Sequence, residues 1–169
     1  DALAAYSPLE QALLAGRGIE ARADAEKFLA PHYERDTHDP FLMPDMEKAV
    51  ARILAAMDAY EKICIYSDYD MDGIPGGVVL HDLFKKISYL NFENYIPHRH
   101  EEGFGLNEQA MKKIADGGAK LLITVDCGTS DVAEVKFAQA LGLDVIITDH
   151  HLPPDVLPPA YGIINPQQA

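Results

Sequence analysis

The sequence is poor in basic residues. Fourteen Lys and Arg stand against 27 Asp and Glu, which gives a formal net charge of −13 at pH 7. This balance argues against a broad basic surface that grips nucleic acid. A nuclease site is still compatible with it, because cations can neutralise clustered carboxylates. If the partner is a long polyanion, we expect residues outside this chain to hold most of it.

Cysteines and long apolar runs are also scarce. Cys64 and Cys127 are the only two cysteines, and neither belongs to a CxxC motif, so nothing indicates a zinc site or an oxidising compartment. No apolar run approaches the roughly 18 residues of a membrane-spanning helix. The sequence shows no signal peptide, and we expect a cytoplasmic protein.

Short apolar runs alternate along the chain with segments of helical periodicity, and this alternation indicates the fold class. Strands are predicted at 62–67, 92–96, 120–125 and 144–148, with helices between them. This alternation predicts an α/β fold in which helices flank a parallel β-sheet. Residues 45–169 form the predicted α/β domain, whose first helix is capped by Asp45 and whose next helix is expected to start at Pro75. Residues 1–44 are predicted as a lead-in of short helices, starting with Ser7 as an N-cap, and of irregular chain at 34–39.

The first predicted strand ends abruptly in carboxylates. Residues 63–67 are followed by Asp68, Asp70, Asp72 and then Gly73. Unpaired carboxylates are expensive to bury, so we expect these acids just beyond the carboxyl end of the strand, where a cation would relieve their repulsion. A calcium-binding EF-hand loop is excluded, because its twelfth position would be Val79 instead of Glu. A solvated acidic turn is the alternative for this stretch alone.

Two more predicted strands end in the same way. The run at 121–125 leads into Asp126, and the run at 144–148 leads into Asp149, His150 and His151. In an open parallel sheet, ligands bind beyond the carboxyl ends of the strands. If these strands are neighbours, the three groups converge, and the sequence then predicts a metal site in one crevice.

These three motifs resemble the DHH phosphoesterase superfamily. They read Asp68-Tyr69-Asp70-Met71-Asp72-Gly73, Val125-Asp126-Cys127-Gly128 and Asp149-His150-His151. The segment 97–106 is similar to a stretch of the RecJ-type exonucleases within that superfamily, and the likeness covers nearly the whole chain. The resemblance implies an enzyme that hydrolyses phosphodiesters with metal ions. It implies more narrowly a 5′ to 3′ exonuclease that acts on single-stranded DNA in repair and recombination.

The resemblance and the chemistry of the residues together suggest roles. Two cations can activate water and neutralise the phosphoryl group, and carboxylate with imidazole suits Mn²⁺, with Mg²⁺ as the alternative. Asp126 is the candidate bridge between the two cations. Asp70 is assigned to the first cation, and Asp72 and His150 are assigned to the second. Asp68 either binds a metal directly or orients a residue that does.

The remaining candidates concern the substrate. His151 is assigned to the scissile phosphate, because adjacent histidines are not expected to share one ion, and Asp149 is expected to orient a histidine. Arg99 can bind phosphate, and the alternative is a solvated loop arginine or a salt bridge to Glu101 or Glu102. Tyr69 and Phe104 can stack on a base, although packing roles are the stronger expectation.

The sequence also departs from the family pattern. Some members carry a histidine where Tyr66 stands, and Ser or Thr is expected near the helix start where residues 74–77 read Ile-Pro-Gly-Gly. The family's fourth metal-binding Asp and its second, DHHA1-like domain are expected further downstream, so it is open whether this chain is active alone. The competing functions are a phosphodiesterase for short oligonucleotides or cyclic dinucleotides, and a non-catalytic scaffold in a replication complex.

Overall fold

The computed structural model describes residues 2–168. The chain divides into two compact units, one ending at Asp39 and the other beginning at Pro40. The division lies five residues before the boundary suggested by the sequence. The reason is that a 3-10 turn at Pro40–Leu42 contacts the first helix of the second unit.

The first unit contains three helices: α1 (Pro8–Ala15), α2 (Arg22–Leu29) and α3 (Tyr33–Asp36). Ser7 caps α1 as predicted, and Glu10 returns the bond to the Ser7 backbone, which completes a capping box. Leu3, Leu14 and Ala25 form a small buried core. The irregular chain predicted at 34–39 is partly wrong, because Tyr33–Asp36 is helical and the Asp36 carboxylate accepts the His32 N–H at 2.7 Å.

The second unit alternates helices and strands, as the sequence predicted. Its helices are α4 (Met46–Asp58), α5 (Gly73–Lys86), α6 (Glu108–Asp116) and α7 (Val132–Ala140). Its strands are β1 (Lys62–Ser67), β2 (Phe92–Tyr95), β3 (Ala119–Val125), β4 (Asp144–Thr148) and β5 (Gly162–Ile164). Within the part of the chain that the structure describes, no helix is both long and apolar enough to cross a membrane.

The five strands form one parallel sheet in the order β2-β1-β3-β4-β5. This confirms the predicted α/β class. The chain leaves β1 toward β2 on one side and then returns to β3 on the other side. The boundary between β1 and β3 is therefore the switch point at which open α/β sheets bind their ligands.

Apolar side chains cover both faces of the sheet. Ile63, Ile65 and Ile123 face one buried cluster, to which α4 and α5 contribute Ala49 and Phe84. Alternate residues of the same strands face the other cluster, which includes Cys64, Leu122 and Val145 and residues of α6 and α7. Helices on both faces bury the central strands, which explains why the strands read as continuous apolar runs.

Two local predictions for the start of helices need correction. Asp45 precedes α4 as expected, but its side chain makes no cap bond. Its backbone adopts φ 59°, and its carboxylate accepts the N–H of Ile163 in β5 at 3.0 Å. The next helix begins at Gly73, two residues before the expected start at Pro75.

Arg52 joins α4 to the sheet through two carboxylates. Its Nε lies 2.6 Å from Asp144, and its Nη2 lies 2.7 Å from Glu61. Arg52→Ala is expected to lower the free energy of unfolding by about 1–2 kcal/mol, because it breaks charged hydrogen bonds that solvent only partly screens. Urea unfolding would measure the loss. Lys112→Ala, which removes an exposed pair with Asp116, is the control, and an equal loss in that variant would contradict the prediction.

Candidate metal centre

Four neighbouring strands end in register. The pairs are Ser67 with Val125, Val125 with Thr148, and Thr148 with Ile164. The residue after each strand end is polar, and the four form a row across the edge of the sheet: Asp68, Asp126, Asp149 and Asn165. Parallel pairing in this register therefore brings together side chains that lie up to 97 positions apart in the sequence.

Backbone hydrogen bonds fix this row. The N–H of Asp68 donates to Val125, that of Asp126 to Thr148, and that of Asp149 to Ile164, at 2.9–3.1 Å. Asp126 has φ 64°, in the left-handed region that non-glycine residues seldom occupy. Backbone strain of this kind is concentrated at functional sites, and here it lies at the switch point of the sheet.

The carboxylates of Asp68, Asp70 and Asp126 form one cluster. One oxygen from each lies within 4.8 Å of the others. Asp68 is 1% exposed and Asp126 is 6% exposed. Oδ1 of Asp68 and both carboxylate oxygens of Asp126 are buried without a hydrogen-bond partner among the described residues. Each such group costs on the order of 1–3 kcal/mol unless a ligand satisfies it.

The pKa values reflect this crowding. Burial, followed by the neighbouring Asp70, raises the pKa of Asp126 to about 6. Burial also raises the pKa of Asp68. Asp70 differs, because backbone N–H groups of Gly73 and Asp72 donate to its Oδ1 at 3.0 Å and lower its pKa. Asp70 is therefore held in its charged form at the N-terminus of α5. Beside it, burial disfavours the charged forms of Asp68 and Asp126.

A second cluster shares Asp126. It contains Asp126, His150 and His151, with one ligand atom from each again within 4.8 Å. Nε2 of His150 lies 2.9 Å from Oδ1 of Asp126, close enough for an ion pair but without hydrogen-bond geometry, and 3.6 Å from Oδ2 of Asp72. Asp72 is largely exposed and lies at the rim of the crevice. The structure thus places His151 in the same cluster as His150, whereas the sequence argument did not expect the two histidines to share one ion.

Asp149 holds His151 in place. Its Oδ1 lies 2.7 Å from Nδ1 of His151 and also accepts the backbone N–H groups of His150 and His151. This hydrogen bond raises the pKa of His151. With Nδ1 engaged, Nε2 is the ring nitrogen left for a substrate or a metal. The histidine that Asp149 orients is therefore His151.

Sequence reasoning missed two polar residues that support Asp149. The backbone N–H of Thr129 donates to Oδ2 of Asp149 at 3.0 Å, and Nδ2 of Asn165 donates to Oγ1 of Thr129 at 3.1 Å and to the His151 carbonyl at 2.8 Å. Both residues are fully buried. A signal for Asn165 was available, because it directly follows the apolar run of β5, as the three motif acids follow theirs.

The segment of residues 98–105, which follows β2, carries two further candidates. The guanidinium carbon of Arg99 lies 4.5 Å from the ring centroid of Tyr69. The ring of Phe104 meets His151 edge-on with centroids 5.8 Å apart, and Phe104 is 58% exposed. Both side chains therefore border the clusters, and neither is buried in the core.

The departures from the family pattern have structural reasons. Tyr66 is fully buried, and its hydroxyl donates to the Gly105 carbonyl at 2.8 Å, so it belongs to neither cluster. A Cβ on Gly77 would lie 2.1 Å from Oγ of Ser67, and one on Gly76 would lie 2.6 Å from Cγ1 of Val125. The start of α5 packs too closely on β1 and β3 for Ser or Thr at these two positions.

The donor set fits divalent cations. Buried carboxylate oxygens without a hydrogen-bond partner among the described residues lie beside an imidazole nitrogen. A ligand set of carboxylate oxygen and imidazole nitrogen suits Mn²⁺. Asp126 belongs to both clusters, which is the position a bridging carboxylate needs. Neither cysteine competes for the metal, because Cys64 and Cys127 are both buried, and burial raises the pKa of each thiol.

Comparison with known proteins agrees with this geometry. Residues 62–169 match the model of the DHH family, N-terminal domain. The single-stranded-DNA-specific exonuclease RecJ of Bacillus subtilis is 46% identical over 163 residues, which is 96% of this chain and 20% of that protein. The Escherichia coli protein of the same name is 34% identical over 169 residues, which is 98% of this chain and 28% of that protein. The chain thus spans less than a third of the length of these two relatives.

Two solved structures share the fold. A crystal structure of exonuclease RecJ bound to manganese gives a TM-score of 0.69 at 29% identity, over 77% of this chain and 33% of that one. RecJ from Thermus thermophilus in complex with Mn²⁺ gives a TM-score of 0.68 at 25% identity, over 93% of this chain and 21% of that one. The arrangement of strands and helices described above is therefore the one found in these metal-bound proteins.

Proposed function

The chain belongs to the DHH family, and from that premise we propose that it carries the metal centre of a 5′ to 3′ exonuclease for single-stranded DNA. The observation that carries the proposal is Asp126, a buried carboxylate that belongs to both clusters and whose two oxygens have no hydrogen-bond partner among the described residues. The relatives named for this activity and the manganese-bound structures support the choice of substrate and metal. The 5′ to 3′ direction rests on the family resemblance.

We assign the ligands from the two clusters. Asp68, Asp70 and Asp126 would hold one cation, and Asp126 with His150 would hold the other, with Asp72 completing it at the rim. Asp68 then takes the place in which some family members use a histidine. Two cations supply a nucleophilic water at neutral pH and charge neutralisation on the phosphoryl oxygens.

The other residues act on the substrate. His151, held by Asp149 through Nδ1, presents Nε2 to the scissile phosphate and donates a hydrogen bond or a proton there. Arg99 offers a planar donor group to an adjacent phosphate, and Phe104 offers a ring to a base. With a net charge of −13, this chain contributes the chemistry, and the rest of the strand is gripped by residues outside it.

A nuclease assay tests the proposal. Protein with Mn²⁺ should release mononucleotides from single-stranded DNA labelled at its 3′ end and keep that label on the remaining strand until late. Blunt duplex DNA of the same sequence should be spared. Equal digestion of a dinucleotide and a long strand would favour the short-oligonucleotide phosphodiesterase.

The scaffold alternative is less well supported. Three buried carboxylate oxygens have no hydrogen-bond partner in the part of the chain that the structure describes, and a protein without metal chemistry gains nothing from them. Their desolvation lowers stability, and replacement by neutral residues would relieve it.

Metal should stabilise the fold. The pKa of Asp126 rises from an ordinary 3.8 to about 6, so across that window the metal-free folded state holds a proton that the unfolded chain has released. Its stability therefore falls as pH rises through the window. Mn²⁺ at about 100 times its dissociation constant should raise the free energy of unfolding by roughly 2.7 kcal/mol. This corresponds to an increase in Tm of about 5–10 °C.

Differential scanning calorimetry at pH 7.5 and pH 5 measures this effect. The increase should be smaller at pH 5, because protons compete with the metal for Asp126. Asp126→Asn should lose most of the increase at pH 7.5. An unchanged Tm on addition of millimolar Mn²⁺, or an equal increase in the variant, would contradict the assigned ligands.

A further inference from the structure

The segment of residues 98–105 is a loop that side-chain contacts hold in place. It carries Arg99 and Phe104 to the mouth of the crevice, yet its backbone lies outside the sheet and the helices. Loops are usually mobile, so side chains that must meet a substrate from a loop need a fixed frame. Two groups of contacts supply that frame, one near each end of the segment.

Glu102 secures the first part of the segment. One carboxylate oxygen accepts the Tyr95 hydroxyl, and the other accepts the backbone N–H of His98 at 2.7 Å. The carboxylate thus closes a ring from the last residue of β2 back to the start of the segment. Both bonds favour the charged form, and they lower the pKa of Glu102 although burial opposes them.

Tyr66 secures the second part. Its ring stacks on Tyr95 with centroids 5.4 Å apart and planes 9° from parallel. Its hydroxyl donates to the Gly105 carbonyl, and Nδ2 of Asn107 donates to that hydroxyl at 3.3 Å. Tyr66 belongs to β1, two residues before Asp68, so the strand that carries the first metal motif also fixes the loop.

Gly105 and Asp131 complete the second group of contacts. Gly105 has φ 77°, and a Cβ there would lie 2.8 Å from Oδ2 of Asp131. The same oxygen accepts the N–H of Leu106 at 2.8 Å. The chain after Phe104 is therefore fixed both by its backbone conformation and by a partly buried acceptor.

We propose that Glu102 and Tyr66 are positioning residues, which hold residues 98–105 so that Arg99 and Phe104 grip single-stranded nucleic acid beside the metal centre. The inference deepens the proposed function and rests on it for the substrate. Neither residue touches the substrate in this arrangement. Their loss should therefore weaken the hold on a nucleic acid strand and leave the chemical step nearly intact.

The test compares Glu102→Ala with Glu101→Ala. Glu101 is the adjacent carboxylate; its side chain is 79% exposed, and its Oε2 lies 4.0 Å from Nδ1 of His98. Glu102→Ala should raise KM for single-stranded DNA and weaken oligonucleotide binding by about tenfold, the scale of one hydrogen bond to a charged group. The kcat should change less than about threefold, because a contact made equally in the ground and transition states affects KM alone.

Further variants separate positioning from folding. Glu102→Gln, which keeps one acceptor oxygen, should be intermediate, and Tyr66→Phe, which keeps the stacked ring, should raise KM in the same direction. Hydrolysis of bis(p-nitrophenyl) phosphate, which has no strand to grip, should stay at the wild-type rate in all of them. In the Arg99→Ala background, Glu102→Ala should add little, because its effect passes through the loop that carries Arg99.

The outcomes distinguish the two proposals. Oligonucleotide binding, followed by fluorescence anisotropy, reports on the loop without turnover. If the protein binds a strand without hydrolysing it and Glu102→Ala weakens that binding, the positioning role stands and the exonuclease assignment fails. If the protein hydrolyses the strand but Glu102→Ala behaves like Glu101→Ala, or lowers kcat with KM unchanged, the positioning role is overturned. A protein that neither binds nor hydrolyses overturns both.

Discussion

Asp126→Asn is expected to reduce hydrolysis of single-stranded DNA to background. The substitution keeps the shape of the side chain but removes the charge that both clusters share. None of the other four residues can replace it, because each of them belongs to only one of the two clusters. Asp126→Ala should have the same effect. Turnover should be measured with saturating Mn²⁺ on the protein that contains this chain.

The same variant should be more stable than the wild type when metal is absent. Asp126 is buried beside Asp70, and neither of its oxygens has a hydrogen-bond partner among residues 2–168, so a neutral amide removes an unfavourable charge. In EDTA at pH 7.5 the Tm of Asp126→Asn should rise, by about 2–4 °C for each kcal/mol relieved. This trade of stability for activity is typical of a functional site.

Asp116→Asn is the matched control. It makes the same chemical change at an exposed carboxylate at the end of α6. It should leave turnover unchanged and shift the Tm only slightly. Retained turnover in Asp126→Asn, or a lower Tm for it in EDTA, would remove the basis for a bridging carboxylate.

The metal motifs could be predicted from the sequence because each is local. An apolar run that stops at Asp68, at Asp126 or at Asp149 marks a strand end, and parallel strands place their carboxyl ends together. The order of the strands was an assumption that the structure confirms. The register that aligns these three ends is a property of the whole sheet, and no single segment encodes it.

The supports of the site were not predictable in this way. Tyr66 reads as one more core residue of an apolar strand, and its hydroxyl partner Gly105 lies 39 positions away. Glu102 looks like any surface acid until the fold brings Tyr95 and His98 to it. The proximity of His151 to the cluster of His150 was also missed, because sequence adjacency does not reveal how a chain turns after a strand.

His151 presents the sharpest remaining choice, between a proton donor and a metal ligand. Its Nδ1 is engaged by Asp149, and its ring lies with Asp126 and His150 in one cluster. If His151 serves the scissile phosphate, His151→Ala should lower turnover by about 10²–10⁴, the range for a lost acid–base group. Mn²⁺ affinity, measured by calorimetric titration, should be unchanged.

His150→Ala provides the comparison, since its ring nitrogen lies 2.9 Å from Asp126 and it is assigned as a ligand. That variant should lose both affinity for one cation and turnover. Asp149→Asn should resemble His151→Ala in turnover, because the imidazole loses the carboxylate that orients it and favours its charged form. If His151→Ala instead loses Mn²⁺ as His150→Ala does, both histidines bind metal, and the proton for the leaving oxygen must come from water held in the crevice.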